Sequence, residues 1–293
     1  MIARTILAAV LLGAAADPAH VKEVEAWRAK HEADYRRDWV SISGLFFLKP
    51  GVNTAGSAAS NDIVIPSVPP SIGRFVLDGA SVRFEPASGV AVRLKDQPVT
   101  APLVLKSDEA PGADELVIDG VRLNVHVSGE RLSIRVRDPN GEPARAFLGF
   151  KWFPIEARYR VVGRFVKDAE PRKIKMVNTL GDFDEFTTEG VVEFTLLGRT
   201  LRLRPMTTRP KRFYFIFRDG SSGRETYAAA RFLYADLRDD GTTVLDFNEA
   251  YNPPCAFNPY TTCPIPLPEN RLKIKILAGE KDYPVHALPL KDK

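Results

Sequence analysis

Chemistry-bearing side chains are concentrated near the end of the chain, where Asp246, Asn248, Tyr251 and Asn252 precede the proline-rich run Pro253-Pro254-Cys255. Strand alternation sends Asp246 and Asn248 to the face opposite Leu245 and Phe247, so both project into one space. Arg231 and Tyr227, on the preceding segment, can meet them there. Such a set can clamp a polar or anionic ligand. It can equally anchor a loop, because Asp and Asn beside turns bond to backbone amides and arginine satisfies carboxylates. A loop carrying Pro253, Pro254, Pro259, Pro264 and Pro266 needs such anchors, since proline offers no donor of its own.

If the chain catalyses a reaction, Asp246 or Glu225 is the candidate acid or base; either needs burial or a neighbouring carboxylate to bring its pKa toward neutrality. Gly220-Ser221-Ser222-Gly223 lacks nucleophile-elbow spacing and reads as a hairpin loop. His126 falls on a polar strand face and is expected to be exposed. No phosphate-cradling glycine loop and no zinc spacing occurs, so no cofactor and no metal is expected. The two cysteines, Cys255 and Cys263, are eight positions apart. In an oxidising compartment they are expected to form a disulfide, contributing about 2 to 3 kcal/mol in the chain-entropy model.

The elements that must hold these residues are mostly strands. Residues 1–16 read as a secretory leader, with Arg4 as the basic end, Thr5 to Leu12 as the apolar stretch and Ala14-Ala15-Ala16 as the cleavage site. The expected address is therefore the periplasm or the extracellular space. No later run is long enough to span a bilayer. Removing Arg4 with the leader leaves 40 basic against 37 acidic residues, net +3, too little to suggest nucleic acid as a partner. The basic run Arg199, Arg202, Arg204, Arg209, Lys211 and Arg212 alternates with Leu201 and Leu203, giving either a solvated strand face or a docking surface for anions.

Residues 17–40 read as one helix, capped by Asp17-Pro18 and carrying Val21, Val24, Trp27, His31 and Tyr35 on one face as a lid or brace. From Ser43 the period becomes two. Turns at Asp78-Gly79, Asp119-Gly120, Ser128-Gly129 and Asp240-Gly241 separate strand-like runs, among them Val121, Leu123, Val125 and Val127 on one face. The pattern predicts a mainly β chain, an antiparallel β-sandwich or barrel architecture in two packed halves with one N-terminal α-helix. The halves are 41–150 and 151–293, divided near Phe150-Lys151-Trp152-Phe153-Pro154. The second contains runs at Arg158–Phe165, Thr188–Leu197, Leu201–Met206, Phe213–Phe217, Phe232–Ala235, Val244–Phe247 and Leu272–Leu277.

The run from Leu245 to Phe257, then Thr262-Cys263-Pro264-Ile265-Pro266, Glu269-Asn270-Arg271-Leu272 and Ala278-Gly279-Glu280-Lys281, closely resembles the signature of the family of domain of unknown function 1684. Phe217-Arg218-Asp219-Gly220, Glu225-Thr226-Tyr227 and Arg231-Phe232-Leu233 support it, and the resemblance extends to the Trp27 helix and Gly44-Leu45-Phe46. The resemblance implies no activity. Two places depart from the family pattern: Glu249 stands where a basic residue is common, and Ala229-Ala230 where glycines are common. The first half is also faintly similar to a forkhead-associated sandwich, through Asn53–Ser57 and Asn61–Pro66. It has Ser57 in place of that family's arginine and lacks its serine-to-histidine motif, so the similarity concerns fold only. The combined expectation is an exported β-rich protein that binds a polar or anionic small molecule or an envelope polymer. The alternative is a hydrolase-like enzyme using Asp246 or Glu225.

Overall fold

The computed structural model describes residues 17–285; the leader expected at residues 1–16 lies outside the described residues. Helix α1, Pro18–Tyr35, begins where Asp17 accepts a hydrogen bond from the backbone N–H of Ala19, and it runs on through a π-helical turn, Arg36–Val40. Helical backbone ends at Val40.

Eleven strands build the first half: β1 Ile42–Phe47, β2 Gly51–Gly56, β3 Ile63–Val64, β4 Gly73–Asp78, β5 Ser81–Pro86, β6 Arg93–Leu94, β7 Gln97–Pro98, β8 Leu103–Leu105, β9 Leu116–Ile118, β10 Val121–Ser128 and β11 Arg131–Arg137. They form two sheets, ordered β1-β11-β10-β9-β6-β7 and β3-β2-β4-β5-β8, antiparallel except for the β2–β3 pair. The β9–β10 hairpin turns on Asp119 and Gly120, both with positive φ, the two-residue geometry that matches strand twist. Phe75, Phe84, Leu116, Leu123, Val125, Ile134 and Val136 fill the space between the sheets.

After a short helix α2, Glu142–Ala146, the second half adds β12 Arg160–Val177, β13 Phe183–Leu196, β14 Arg199–Leu203, β15 Met206–Arg209, β16 Arg212–Phe217, β17 Arg231–Asp236 and β18 Thr242–Asp246. Sheets β14-β13-β12-β18 and β15-β16-β17 enclose a second core of Val192, Phe194, Leu203, Phe213, Phe215, Phe217, Leu233 and Leu245. The chain is thus mainly β, with several antiparallel sheets and an N-terminal helix.

Three expectations need correction. Leu272–Leu277 forms no strand, because its carbonyls are taken one by one: Gly220 N–H donates to Ile274 and the Arg231 guanidinium to Ile276. Strands β12 and β13 extend beyond the runs visible in the sequence. Their outer ends form a ribbon whose exposed face is charged, Lys173 pairing with Glu185, and whose other face carries Ile174, Met176 and Phe186; a break in pairing between Lys167 and Arg172 separates it from the inner run. His126 is buried rather than exposed. The polar face of β10–β11 packs against the second half, where His126 Nδ1 lies 2.6 Å from Asp108, Thr262 reaches its Nε2, and Ser128 donates to Asp182 at 2.7 Å. The basic run ending at Arg212 is largely neutralised in place, with Arg202 on Glu193, Arg204 on Asp168 and Glu269, Lys211 on Asp239 and Arg212 on Asp236.

Candidate functional site: an aromatic cleft under helix α1

Strand β16 alternates Phe213, Phe215 and Phe217 into the second core with Tyr214 and Ile216 outward, and Phe232 and Tyr234 of β17 share that outward face. Helix α1 lies over this face with Trp27, His31 and Tyr35 at four-residue steps, the spacing that stacks side chains on one side of a helix. Trp27 stacks on His31 with centroids 4.7 Å apart, and His31 lies 4.2 Å from Tyr35 and 4.5 Å from Tyr251. Tyr214 and Tyr234 stack at 4.7 Å. Between helix and strands opens a cleft of about 760 Å³, whose lining also includes Trp39, Thr262, Cys263 and Pro264.

Charged groups rim the aromatic walls. Seven carboxylates line the cleft, Glu23, Asp34, Asp38, Asp184, Asp236, Asp246 and Glu249, against two arginines, Arg160 and Arg212. Asp246 lies 2.5 Å from His20 Nε2 and 3.8 Å from Arg160, and its other oxygen accepts from the Asn248 backbone and side-chain N–H groups. Arg160 also pairs with Glu23 at 3.3 Å; Arg212 pairs with Asp236 at 2.7 Å and covers the Tyr234 ring. Burial, reinforced by Asp246, raises the Glu249 pKa to about 7 despite Arg160 and Arg212 nearby. Burial also pushes Asp184 upward, and lowers His31 to about 3, which leaves that imidazole neutral among its aromatic neighbours.

Residues 145–281 match the family described as "Protein of unknown function (DUF1684)". That segment is similar to DUF1684 proteins, over a little less than half of the chain. A solution NMR structure of an uncharacterized protein from gene locus rrnAC0354 of Haloarcula marismortui is 27% identical, with 48% of this chain and 80% of that chain covered and a TM-score of 0.41. A search of curated proteins finds no match. The matched segment supplies the strand wall and floor of the cleft, whereas Trp27, His31 and Tyr35 come from a helix that precedes it.

Among the residues singled out from sequence, the cleft gathers Asp246, Tyr251 and Cys263. The others anchor the matched segment. Arg231 is fully buried; it pairs with Asp219 at 2.7 Å and donates to the carbonyls of Ile276 and Ala278. Asn248 bonds both backbone groups of Glu156, and Asn252 bonds Glu280 and the Lys281 carbonyl. Tyr227 points its hydroxyl at the Cys255 carbonyl. Glu225 pairs with Lys275 at 2.5 Å and does not line the cleft. Cys255 and Cys263 are buried as free thiols, the Cys255 N–H donating to Cys263 Sγ at 3.3 Å. Glu280, bound to Asn252, is almost wholly buried, and burial raises its pKa to about 8. Gly279, at φ +76°, brings its backbone so close to the Ala250 carbonyl that a Cβ would stand 2.2 Å from that oxygen.

Arg160, Tyr234, Asp184 and the acid role open to Glu249 were not found from the sequence, and Arg212 figured there only as the end of a basic run. The aromatic steps on α1 and the tyrosines alternating in β16 and β17 were the available signal; only the packing of one upon the other makes them a site.

Proposed function

We propose that the protein is an exported binding protein that holds a polar small molecule in the cleft between α1 and the outward face of β16–β17. The observation that carries this reading is a cavity of about 760 Å³ walled by aromatic rings and rimmed by a few charged groups. That size and that mixture characterise small-molecule sites. The seven-to-two excess of carboxylates over arginines favours a neutral or positively charged ligand over an anionic one. Export rests on the leader-like residues 1–16. In an oxidising compartment the adjoining Cys255 and Cys263 thiols pass two electrons and two protons to a thiol oxidant and close into a disulfide. A mass lower by two hydrogens after secretion checks this, and an unchanged mass rejects it.

Thermal melting with a panel of small polar compounds tests the binding reading. A ligand at about 100 times its dissociation constant stabilises by ~2.7 kcal/mol, and Tyr234→Ala should abolish the gain. A gain that persists unchanged in the variant places the ligand elsewhere.

One arrangement favours a second reading, hydrolysis. Among the described residues the Glu249 carboxyl makes no hydrogen bond; burial brings its pKa to about 7 beside the His20-paired Asp246, so an acid and a carboxylate face the same cleft. Glu225, outside the cleft, drops out of this reading. Turnover that survives both Asp246→Asn and Glu249→Gln rejects it.

A further inference from the structure

The charges in the cleft are not all balanced, and the unbalanced ones specify the ligand. Glu23 and Asp246 share Arg160, while Asp236 holds Arg212. Asp34 pairs with Lys30 and Arg37, and Asp38 with Arg37. Two carboxyls remain without a cation among the described residues. Glu249 makes no hydrogen bond or ion pair, and Asp184 accepts only from the neutral amide of Asn178, at 3.2 Å. In the strand register Asp246, three residues before Glu249, faces Arg160 at one end of β12, whereas Asp184 faces Met176 near the other. They stand apart, as two acidic stations in one cavity.

The walls between them suit a cation with an apolar stem. Tyr234 already carries the Arg212 guanidinium over its ring at 5.0 Å, and Trp27, Tyr214 and Tyr251 present further aromatic surface. Ring faces attract ammonium groups and cover methylene chains. An anion would find both arginines already engaged and would add repulsion from the carboxylates. A neutral sugar could stack on the rings, but would leave both acidic stations without a counter-charge.

We propose that the ligand is a linear aliphatic polyamine whose ammonium groups meet Glu249 and Asp184 and whose methylene chain lies over the aromatic rings. This rests on the cleft being the binding site. It goes beyond that reading in naming the chemical class.

Calorimetric titration of the full chain with spermidine, cellobiose and succinate separates the two. Spermidine should bind, with affinity falling about tenfold or more in each of Glu249→Gln and Asp184→Asn, while their melting temperatures without ligand stay near that of the parent. Affinity should also rise between about pH 6 and about pH 8 as Glu249 ionises among Asp246, Glu23, Arg160 and Arg212, and Glu249→Gln should flatten that rise. Binding of cellobiose or succinate without spermidine overturns the polyamine and leaves the cleft reading standing. Spermidine binding that is unchanged in both variants overturns the polyamine site as well. Failure of all three compounds overturns both readings.

Discussion

Arg231 and Glu280 show how little an ionisable side chain's type reveals about its work. Arg231 has the look of a ligand clamp in sequence, yet it is 0% exposed and its two terminal nitrogens are engaged by Asp219 and two carbonyls. Arg231→Ala should lower the urea midpoint by an amount corresponding to about 3 to 5 kcal/mol, because Asp219 is left buried and unpaired. A small loss would show that the pair is solvated. Glu280, held by Asn252, has its pKa raised to about 8 by burial. Its unfolded value is ~4.3, so between these limits the folded chain keeps a proton that the unfolded chain has lost, and stability declines as pH rises through that window. Glu249, raised to about 7, adds a decline of the same sign that ends earlier. Denaturant midpoints measured from about pH 5 to about pH 8 should flatten in Glu280→Gln; an identical slope in parent and variant would exclude a neutral acid at this position.

At the scale of elements, what was legible is what alternates. The β9–β10 hairpin follows from Asp119-Gly120 between runs of period two, and α1 from its cap and its aromatic steps. The β12–β13 ribbon beyond Lys167 was hardly legible, because the pairing breaks between Lys167 and Arg172 and only Ile174, Met176 and Phe186 mark its inward face. Leu272–Leu277 failed in the opposite sense. Its leucines and isoleucines are buried, but irregular bonds to Gly220 and Arg231 replace a strand partner. The cleft was legible only in part, since it arises where two amphipathic elements far apart in sequence are superposed. Helix α1 therefore has an energetic as well as a binding role. Trp27→Ala should cost about 2 to 3 kcal/mol by exposing the rings beneath it, and should speed proteolysis of the segment before Ser43. Unchanged cleavage kinetics would mean that the helix is held by the His20–Asp246 contact and by Arg28, which donates to the carbonyls of Phe153 and Asn248.

For the molecule as a whole, the seam between the two halves is polar and interlocked. His126, Arg135 and Asp108 meet there, Asp182 bonds Ser128 and Arg131, and Asn258 donates to the carbonyls of Trp39 and Ile42. Breaking the seam would strand these groups without partners, so the halves should unfold in one calorimetric transition; two resolved transitions would show that the seam melts first. The asparagines that fasten the closing segment also bear on how the protein ages. Deamidation begins when the backbone nitrogen of the next residue attacks the asparagine side chain. Asn252 and Asn258 are each followed by proline, whose nitrogen carries no hydrogen to lose, and all four of Asn248, Asn252, Asn258 and Asn270 are 0% exposed. Asn140, exposed and followed by Gly141, has no such protection. During long incubation at mildly alkaline pH, peptide mass mapping should find the first conversion at Asn140 while the four fastening asparagines stay intact, so the part of the chain that shapes the cleft is also the part slowest to wear.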